Sequence, residues 1–270
     1  MDTFRARYGP WALVAGGSMG MGAAYSRQLA QRGLNVVLVA EAAEPLETLA
    51  RSLAHECGVE TRALLADLSN YDVLSQLAAA TRDLDIGLMV YNAAHSIVGR
   101  FLDVPLAEKL RMLDVNCRGP LQLCHHYGTR MVARGRGGII VVSSLSGFQG
   151  HAMVGTYAAT KAFDLVLAEA LWEELREHGV DVLAFCPGAT RTPAFLATNP
   201  RPTGVVSAPL MDPEATVAEA LAALGRRPTH IAGRANRLAA FVLHRLLPRR
   251  ALIGLMSRTT RAMYDRRAQS

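Results

Sequence analysis

A short apolar run, WALVA from Trp11, gives way to a glycine-rich turn and then to a stretch from Ala23 to Gln31 whose apolar positions recur at helical spacing and stop near Gly33. The same change of period repeats down the chain. LNVVLVA (Leu34 to Ala40) predicts a second strand, residues Glu44 to Cys57 a helix, ETRALLAD a third strand, Val73 to Arg82 a helix and IGLMVYNA a fourth strand. A long helix over about Leu106 to Arg134 leads into GGIIVVSS, and another over about Val154 to His178 leads into VDVLAFCPG. A helix at about Pro213 to Leu224 and the strand THIAG close the series.

Strands that are aliphatic nearly throughout, each followed by a helix, suit a parallel sheet covered on both faces. The fold class is therefore α/β: one Rossmann-type, doubly wound parallel sheet of seven strands with helices on both faces. Between Gly188 and Pro213 the periodicity breaks. Five prolines from Pro193 to Pro213 and small polar residues make this segment too long for a plain connection, so it reads as a substrate lid over 188–213. Residues 1–233 form the main domain, and 234–270 a basic helical C-terminal tail.

Composition narrows the classes. Half of the 270 residues are hydrophobic and 19% charged, enough for a large core and unlike a disordered chain. The net charge of +6 suggests an acidic partner, yet nine arginines against Asp265 alone lie from Arg234 onward, leaving 20 basic and 22 acidic residues in the rest. Basicity belongs to the tail, which has four readings: a solvated face, closure over a pocket, contact with a neighbouring subunit, or peripheral contact with a membrane. No nucleic-acid motif or aromatic interleaving accompanies it, so nucleic acid is not an expected partner. Cys57, Cys117, Cys124 and Cys186 form no CxxC pair, and the adjacent His125 and His126 diverge on a helix, so reduced thiols and no metal site are expected. No leader opens the sequence, and His244, Arg245, Arg249 and Arg250 interrupt the apolar tail; a cytoplasmic location is the expectation.

The turn AGGSMGMG, Ala15 to Gly22, joins the first strand to the first helix. Glycines there permit a tight turn, let a diphosphate approach backbone N–H groups, and allow the helix to pack on the strand with its N-terminus facing the anion. In this context the turn predicts a dinucleotide site; standing alone it would be weak. Its Gly16, Gly20, Gly22 spacing resembles the T-G-x-x-x-G-x-G turn of the short-chain dehydrogenase/reductase family, with Ala15 in place of the threonine. YNAA from Tyr91 resembles N-N-A-G, departing at Tyr91 and Ala94, and CPGATRT resembles the P-G-x-x-x-T segment. The likeness spans roughly residues 10 to 232.

That resemblance implies a nicotinamide cofactor held by Gly16, Ser18, Met19, Gly20, Met21, Glu41, Asp67, Leu68, Asn92, Ala93, Tyr157, Lys161, Pro187, Gly188, Thr190 and Thr192. Asp67 in ADLS matches the acid that bonds the adenine amino group, or else serves as a helix N-cap. Members that use NADP commonly carry arginine directly after the second strand or a basic residue before Gly20. Here Glu41 and Met19 occupy those positions, and a carboxylate repels a 2′-phosphate, so NAD is expected over NADP.

GTYAATKAFD supplies the candidate chemistry. Tyr157 and Lys161, four apart on a helix, share one face, and an ammonium beside a phenol favours the phenolate. The chain has 27 arginines and two lysines, so a lysine here marks a position that needs a compact ammonium in place of a planar guanidinium. Ser144 stands thirteen residues before Tyr157, at the end of the fifth strand, and Asn116 in DVNCRG matches, by the same resemblance, the asparagine that interrupts the long helix. By resemblance these four are the catalytic set. Tyr157 moves the hydroxyl proton, Ser144 bonds the substrate oxygen, and Lys161 with a water on Asn116 relays protons.

Ser144, His151, Met153, Tyr157 and Phe195 are the candidate substrate contacts, and their surroundings are mainly apolar. YGPWALVAGGSMGMG, LDIGLMVYNAAHS and HIAGRANR resemble bacterial hydroxysteroid dehydrogenases, the 7β type in particular, from whose pattern Glu41 departs. The implied reaction interconverts a secondary alcohol and a ketone on a hydrophobic substrate such as a hydroxysteroid. A 3-oxoacyl thioester or other lipid ketone is the alternative substrate, and a NAD-binding sensor without turnover the alternative class. A homo-dimer or homo-tetramer, paired through the two long helices, is implied by resemblance.

Overall fold

The computed structural model describes residues 3–201 and 210–264. Seven parallel strands, β1 (Trp11–Ala15), β2 (Asn35–Ala40), β3 (Thr61–Leu65), β4 (Ile86–Tyr91), β5 (Gly137–Val142), β6 (Val180–Cys186) and β7 (Thr229–Ile231), lie in the order β3-β2-β1-β4-β5-β6-β7. Helices α1 (Thr3–Tyr8), α2 (Gly20–Gln31), α3 (Ala43–Cys57), α4 (Val73–Ala80), α5 (Leu106–Leu113), α6 (Gly119–Arg134), α7 (Gly155–Leu175), α8 (Pro193–Ala197), α9 (Pro213–Ala223), α10 (Arg234–Leu246) and α11 (Arg249–Tyr264) complete the chain. The strand order reverses between β1 and β4. A crevice at the C-terminal ends of the strands follows from that reversal.

Period-two alternation divides the core. Ala12, Val14, Val36 and Leu38 join Leu29, Leu46 and Leu221 on one face, while Leu13, Ala15, Val37 and Val39 join Leu77, Leu123 and Tyr127 on the other. Every residue of β1, β4 and β5 is buried, which explains their unbroken aliphatic sequences.

Three features depart from the sequence reading, whereas the interruption expected at Asn116 takes the form of a π-helical turn at Asp114–Arg118, where one extra residue per turn throws the hydrogen-bond ladder of residues 106–134 out of step. The fully buried Tyr91 hydroxyl donates to the Val115 carbonyl of this turn at 2.5 Å, and a Cβ on Gly119 would stand 2.1 Å from that hydroxyl. β3 ends at Leu65, so Asp67 lies beyond the strand, and the N-cap position of α4 falls on Asp72, which removes the N-cap reading of Asp67. The expected lid contains α8, and its two ends are joined where Arg191 donates to the Met211 carbonyl and Met211 to that of Ala189, both at 2.9 Å. Lid residues 202–209 and tail residues 265–270 lie outside the described residues.

The third departure is α1, too short to carry a period of its own. It is fastened from outside itself: the Tyr8 hydroxyl donates to Asp181 Oδ2 at 2.6 Å, Arg7 pairs with the same carboxylate, and Phe4 stacks edge-on against Tyr8. Burial and Asp181 both push the Tyr8 hydroxyl above its ordinary pKa, so it stays a donor. The tail is two helices joined at Leu247 and Pro248, and among the described residues no helix is long and apolar enough to cross a membrane. Replacing Tyr8 by Phe is expected to lower unfolding free energy by about 1–2 kcal/mol. A denaturant midpoint equal to wild type would show that this hydroxyl does not secure α1.

Candidate active site

At the C-terminal end of β1 the chain turns on glycine. Gly16 adopts a φ of +74°, and a Cβ there would meet the Ala93 Cα at 2.7 Å; a Cβ on Gly22 would stand 1.7 Å from the Gly16 carbonyl oxygen. The Gly16 and Gly17 N–H groups donate to the Val39 carbonyl, which holds the turn across two strands. α2 begins at Gly20 with no side-chain cap at Met19, so the N–H groups of its first turn are free to meet an anion. Asn92 donates through Nδ2 to the Gly16 carbonyl at 3.0 Å, while its Oδ1 is buried without a partner. A close-approach cradle and an uncapped helix start fit the diphosphate half of a nicotinamide cofactor, while the orphaned Asn92 oxygen fits a donor such as a ribose hydroxyl.

The segment after β6 closes the other wall. Thr190 is buried and donates to the Gly188 carbonyl, Pro187 accepts from the Leu145 N–H, and Thr192 stands against Gly20. Ser18 and Leu68 are buried, Met21 packs against the core, and Met19 is half exposed.

Beyond the ends of β2 and β3 the sequence reading was incomplete. Asp67 accepts from the Ser69 N–H at 2.8 Å and the Ser69 hydroxyl at 2.7 Å. Burial raises its carboxyl, but the Ser69 bonds and Arg111 outweigh that and hold it below its ordinary value. Arg111 of α5 reaches Glu41 at 3.1 Å and Asp67 at 3.4 Å, so Glu41 is a paired carboxylate and not a lone one. No spacing in the sequence announces a contact between residues 70 apart.

Ser144 is half-buried at the end of β5, its Oγ accepting from the Ser146 N–H at 3.1 Å. The neighbouring Ser143 hydroxyl is spent on the Lys161 carbonyl at 2.6 Å. Tyr157 and Lys161 share one face of α7, with Lys161 Nζ 6.0 Å from the Tyr157 ring centroid. That ammonium is almost fully buried and donates to the Val142 carbonyl at 2.8 Å and to Asp164 Oδ2 at 2.9 Å. Asp164 was missed by the sequence reading, although its i+3 spacing from Lys161 was a usable signal.

Asn116 lies on the π-helical turn. Its Nδ2 donates to the His95 carbonyl at 2.9 Å and the Thr160 hydroxyl at 3.0 Å, and its Oδ1 accepts from the His95 N–H at 2.8 Å. Both amide hydrogens are spent. A relay water on this residue would therefore use its remaining acceptor groups.

On the substrate side, His151 Nδ1 stands 2.9 Å from the Thr260 hydroxyl and the Ala152 N–H donates to Ser257, which docks α11 beside the segment before α7. Burial lowers the His151 pKa, favouring a neutral ring. Met153 takes a positive φ of 69°, and Phe195, in α8, is linked through its carbonyl to Thr198 and thence to Tyr264. Phe148 lies 5.6 Å from the His244 ring of α10. The tail thus covers the side of the crevice on which the predicted substrate contacts fall.

A family model for short chain dehydrogenases matches residues 10–202. The chain belongs to the short-chain dehydrogenase/reductase family. As a member of that family it is an oxidoreductase acting on CH–OH groups with NAD(P). It is 38% identical to the 7beta-hydroxysteroid dehydrogenase of Clostridium sardiniense, over 87% of this chain and 89% of that one. The enzyme of the same name from Collinsella aerofaciens is 37% identical over 86% and 89% of the two chains. Among solved structures, one from a study of 7beta-hydroxysteroid dehydrogenase stereoselectivity superposes with a TM-score of 0.86 at 33% identity, covering 94% of this chain and 98% of that one. A short-chain dehydrogenase from Sphingobium yanoikuyae in complex with NADPH gives 0.76 at 32% identity, covering 92% and 95%. That neighbour holds NADPH, and nothing in these matches supports the expected preference for NAD over NADP.

The Gly22→Ala variant is expected to bind NAD(H) and NADP(H) at least about tenfold more weakly, a loss of about 1.4 kcal/mol, because its methyl group would displace the Gly16 carbonyl. Titration of NADH fluorescence measures this; an unchanged dissociation constant would show that the turn does not hold the dinucleotide.

Proposed function

We propose that this dehydrogenase interconverts a secondary alcohol and a ketone on a hydroxysteroid, with Tyr157, Ser144, Lys161 and Asn116 as its working residues. The observation carrying this reading is the buried Lys161 ammonium 6.0 Å from the Tyr157 ring on α7 and bonded to the Val142 carbonyl at the end of β5, the strand that leads into Ser144. Similarity to 7beta-hydroxysteroid dehydrogenases across most of the chain supports the substrate class. A bound nicotinamide supplies the hydride donor or acceptor. Tyr157 takes the proton from the substrate hydroxyl during oxidation and returns it during reduction, while Ser144 donates a hydrogen bond to the same oxygen. Lys161 keeps positive charge next to the phenol, which favours its ionised form in the transition state. Asn116 ties α7 to the segment after β4 through Thr160 and His95, holding Tyr157 in register.

A very-long-chain 3-oxoacyl-CoA reductase of Bos taurus, 31% identical over 72% of this chain and 63% of that one, supports a lipid ketone as the second reading. For the cofactor, Glu41 favours the free ribose hydroxyls of NAD, while Arg111 offers a cation to the 2′-phosphate of NADP; we propose use of both. Exposed Leu106, Leu110, Leu113, Leu121, Phe163 and Val166 on α5, α6 and α7 support pairing of those helices in a homo-oligomer. Leu238, Phe241 and Leu246, exposed on α10 among arginines, suit peripheral contact with an anionic lipid surface in a cytoplasmic enzyme.

The test is turnover followed at 340 nm on a panel of hydroxysteroids, 3-oxoacyl thioesters and bulky alcohols, with NAD and NADP side by side. Steroid turnover is expected, and Tyr157→Phe should reduce kcat by about 10²–10⁴-fold with dinucleotide affinity retained. Tight NADH binding with no turnover on any substrate would replace the enzyme with a sensor.

A further inference from the structure

The geometry points to Asp164 as a positioning residue, a buried carboxylate that keeps the Lys161 ammonium charged and anchored below Tyr157. The inference rests on the role of Lys161 under the proposed function. Tyr157, Lys161 and Asp164 stand at i, i+4 and i+7 on α7, a single stripe of one helix. The Lys161 and Asp164 side chains are 2% and 0% exposed, and their charged atoms are 2.9 Å apart. Asp164 has no other evident task, because its second oxygen, Oδ1, is buried without a hydrogen-bond partner.

An isolated ammonium at this depth would release its proton sooner than bear the desolvation cost. The other titratable groups around it do not supply a counter-ion. Cys117 on the π-helical turn is pushed up to about 11, chiefly by burial, and Cys186 on β6 to about 12 for the same reason. Cys124 on α6 and Tyr91 on β4 are also raised by burial, and Arg118 is itself a cation. All four acids stay protonated and neutral over the working range. Asp164 is thus the anion within bonding distance.

Burial acts on both partners of the pair. It depresses Lys161 by less than Asp164 and Tyr157 restore, so the lysine ends above its ordinary value; it raises Asp164 by more than Lys161 takes back. Both Asp164 Oδ2 and the Val142 carbonyl face the Lys161 ammonium. Of its three donors, Val142 and Asp164 occupy two, leaving the third for a ribose hydroxyl. Because its proton is retained to higher pH, dinucleotide binding that depends on the ammonium should persist until the pH approaches the raised value.

The chain has only two lysines, Lys109 and Lys161, which permits a direct measurement. In protein labelled with ¹³C at lysine Cε, the Lys161 resonance is the one that responds to NADH, and Lys109→Arg confirms the assignment. In wild type its titration midpoint should lie above the ordinary lysine value of about 10.4. Asp164→Asn should lower the midpoint by at least about one pH unit, a tenfold change in proton affinity. In the same variant, NADH affinity at pH 9.5 should fall several-fold while affinity at pH 7 changes little; Asp164→Glu should restore the wild-type profile. A wild-type midpoint below 10.4, or an Asp164→Asn midpoint equal to wild type, overturns the proposal. If Asp164→Asn does not fold, the wild-type titration still decides. A raised midpoint with no NADH response in either resonance would keep the Asp164 assignment and sink the dinucleotide reading instead.

Discussion

The Lys161 ammonium, nearly shut off from solvent, is the constraint on which the joint between the end of β5 and α7 depends. A charge at that depth persists only with acceptors in place, and here the end of β5 supplies the Val142 carbonyl while α7 supplies Asp164. The lysine backbone is secured as well, since Ser143 donates to the Lys161 carbonyl and Gly147 packs so closely that a Cβ would stand 2.8 Å from it. One residue is thereby locked to the strand through both its backbone and its side chain. Tyr157 and Ser144, on the two elements so joined, inherit their relative placement from that lock.

The π-helical turn at Asp114–Arg118 serves the same edge. A regular helix from Leu106 to Arg134 would carry Asn116 in an unbroken ladder; the extra residue re-aims it toward His95 and Thr160. Tyr91 accepts the consequence by donating to the Val115 carbonyl, and Gly119 makes room for that hydroxyl. The departure from N-N-A-G at Tyr91 is thus explained by packing. At the far end of the crevice, Arg111 similarly converts Glu41 from a lone carboxylate into half of an ion pair, and the cofactor argument changes with it.

Much of this was legible beforehand. All seven strands, the strand-turn-helix cradle, the break in the lid region and the Tyr157–Lys161 face follow from period, glycine placement and residue type, because each is encoded within a few consecutive residues. What escaped were α1, whose six residues are too few to show a period; α8, hidden among prolines; and the partners Arg111 and Asp164. The tail was read as helical, but its division into α10 and α11 was not, and the docking of α11 onto His151, Ala152 and Thr198 depends on single polar contacts across more than 60 residues of chain.

By itself, then, the sequence determined the local chemistry: which segments extend, which coil, where a diphosphate can approach the backbone, and which phenol has an ammonium one turn away. Only the tertiary structure decided how charges are partnered, which carbonyls the broken helix exposes, and what covers the crevice. The reason is range. Hydrophobic period and turn geometry act between near neighbours, whereas the fate of a buried charge depends on whichever groups the fold brings within about 3–4 Å.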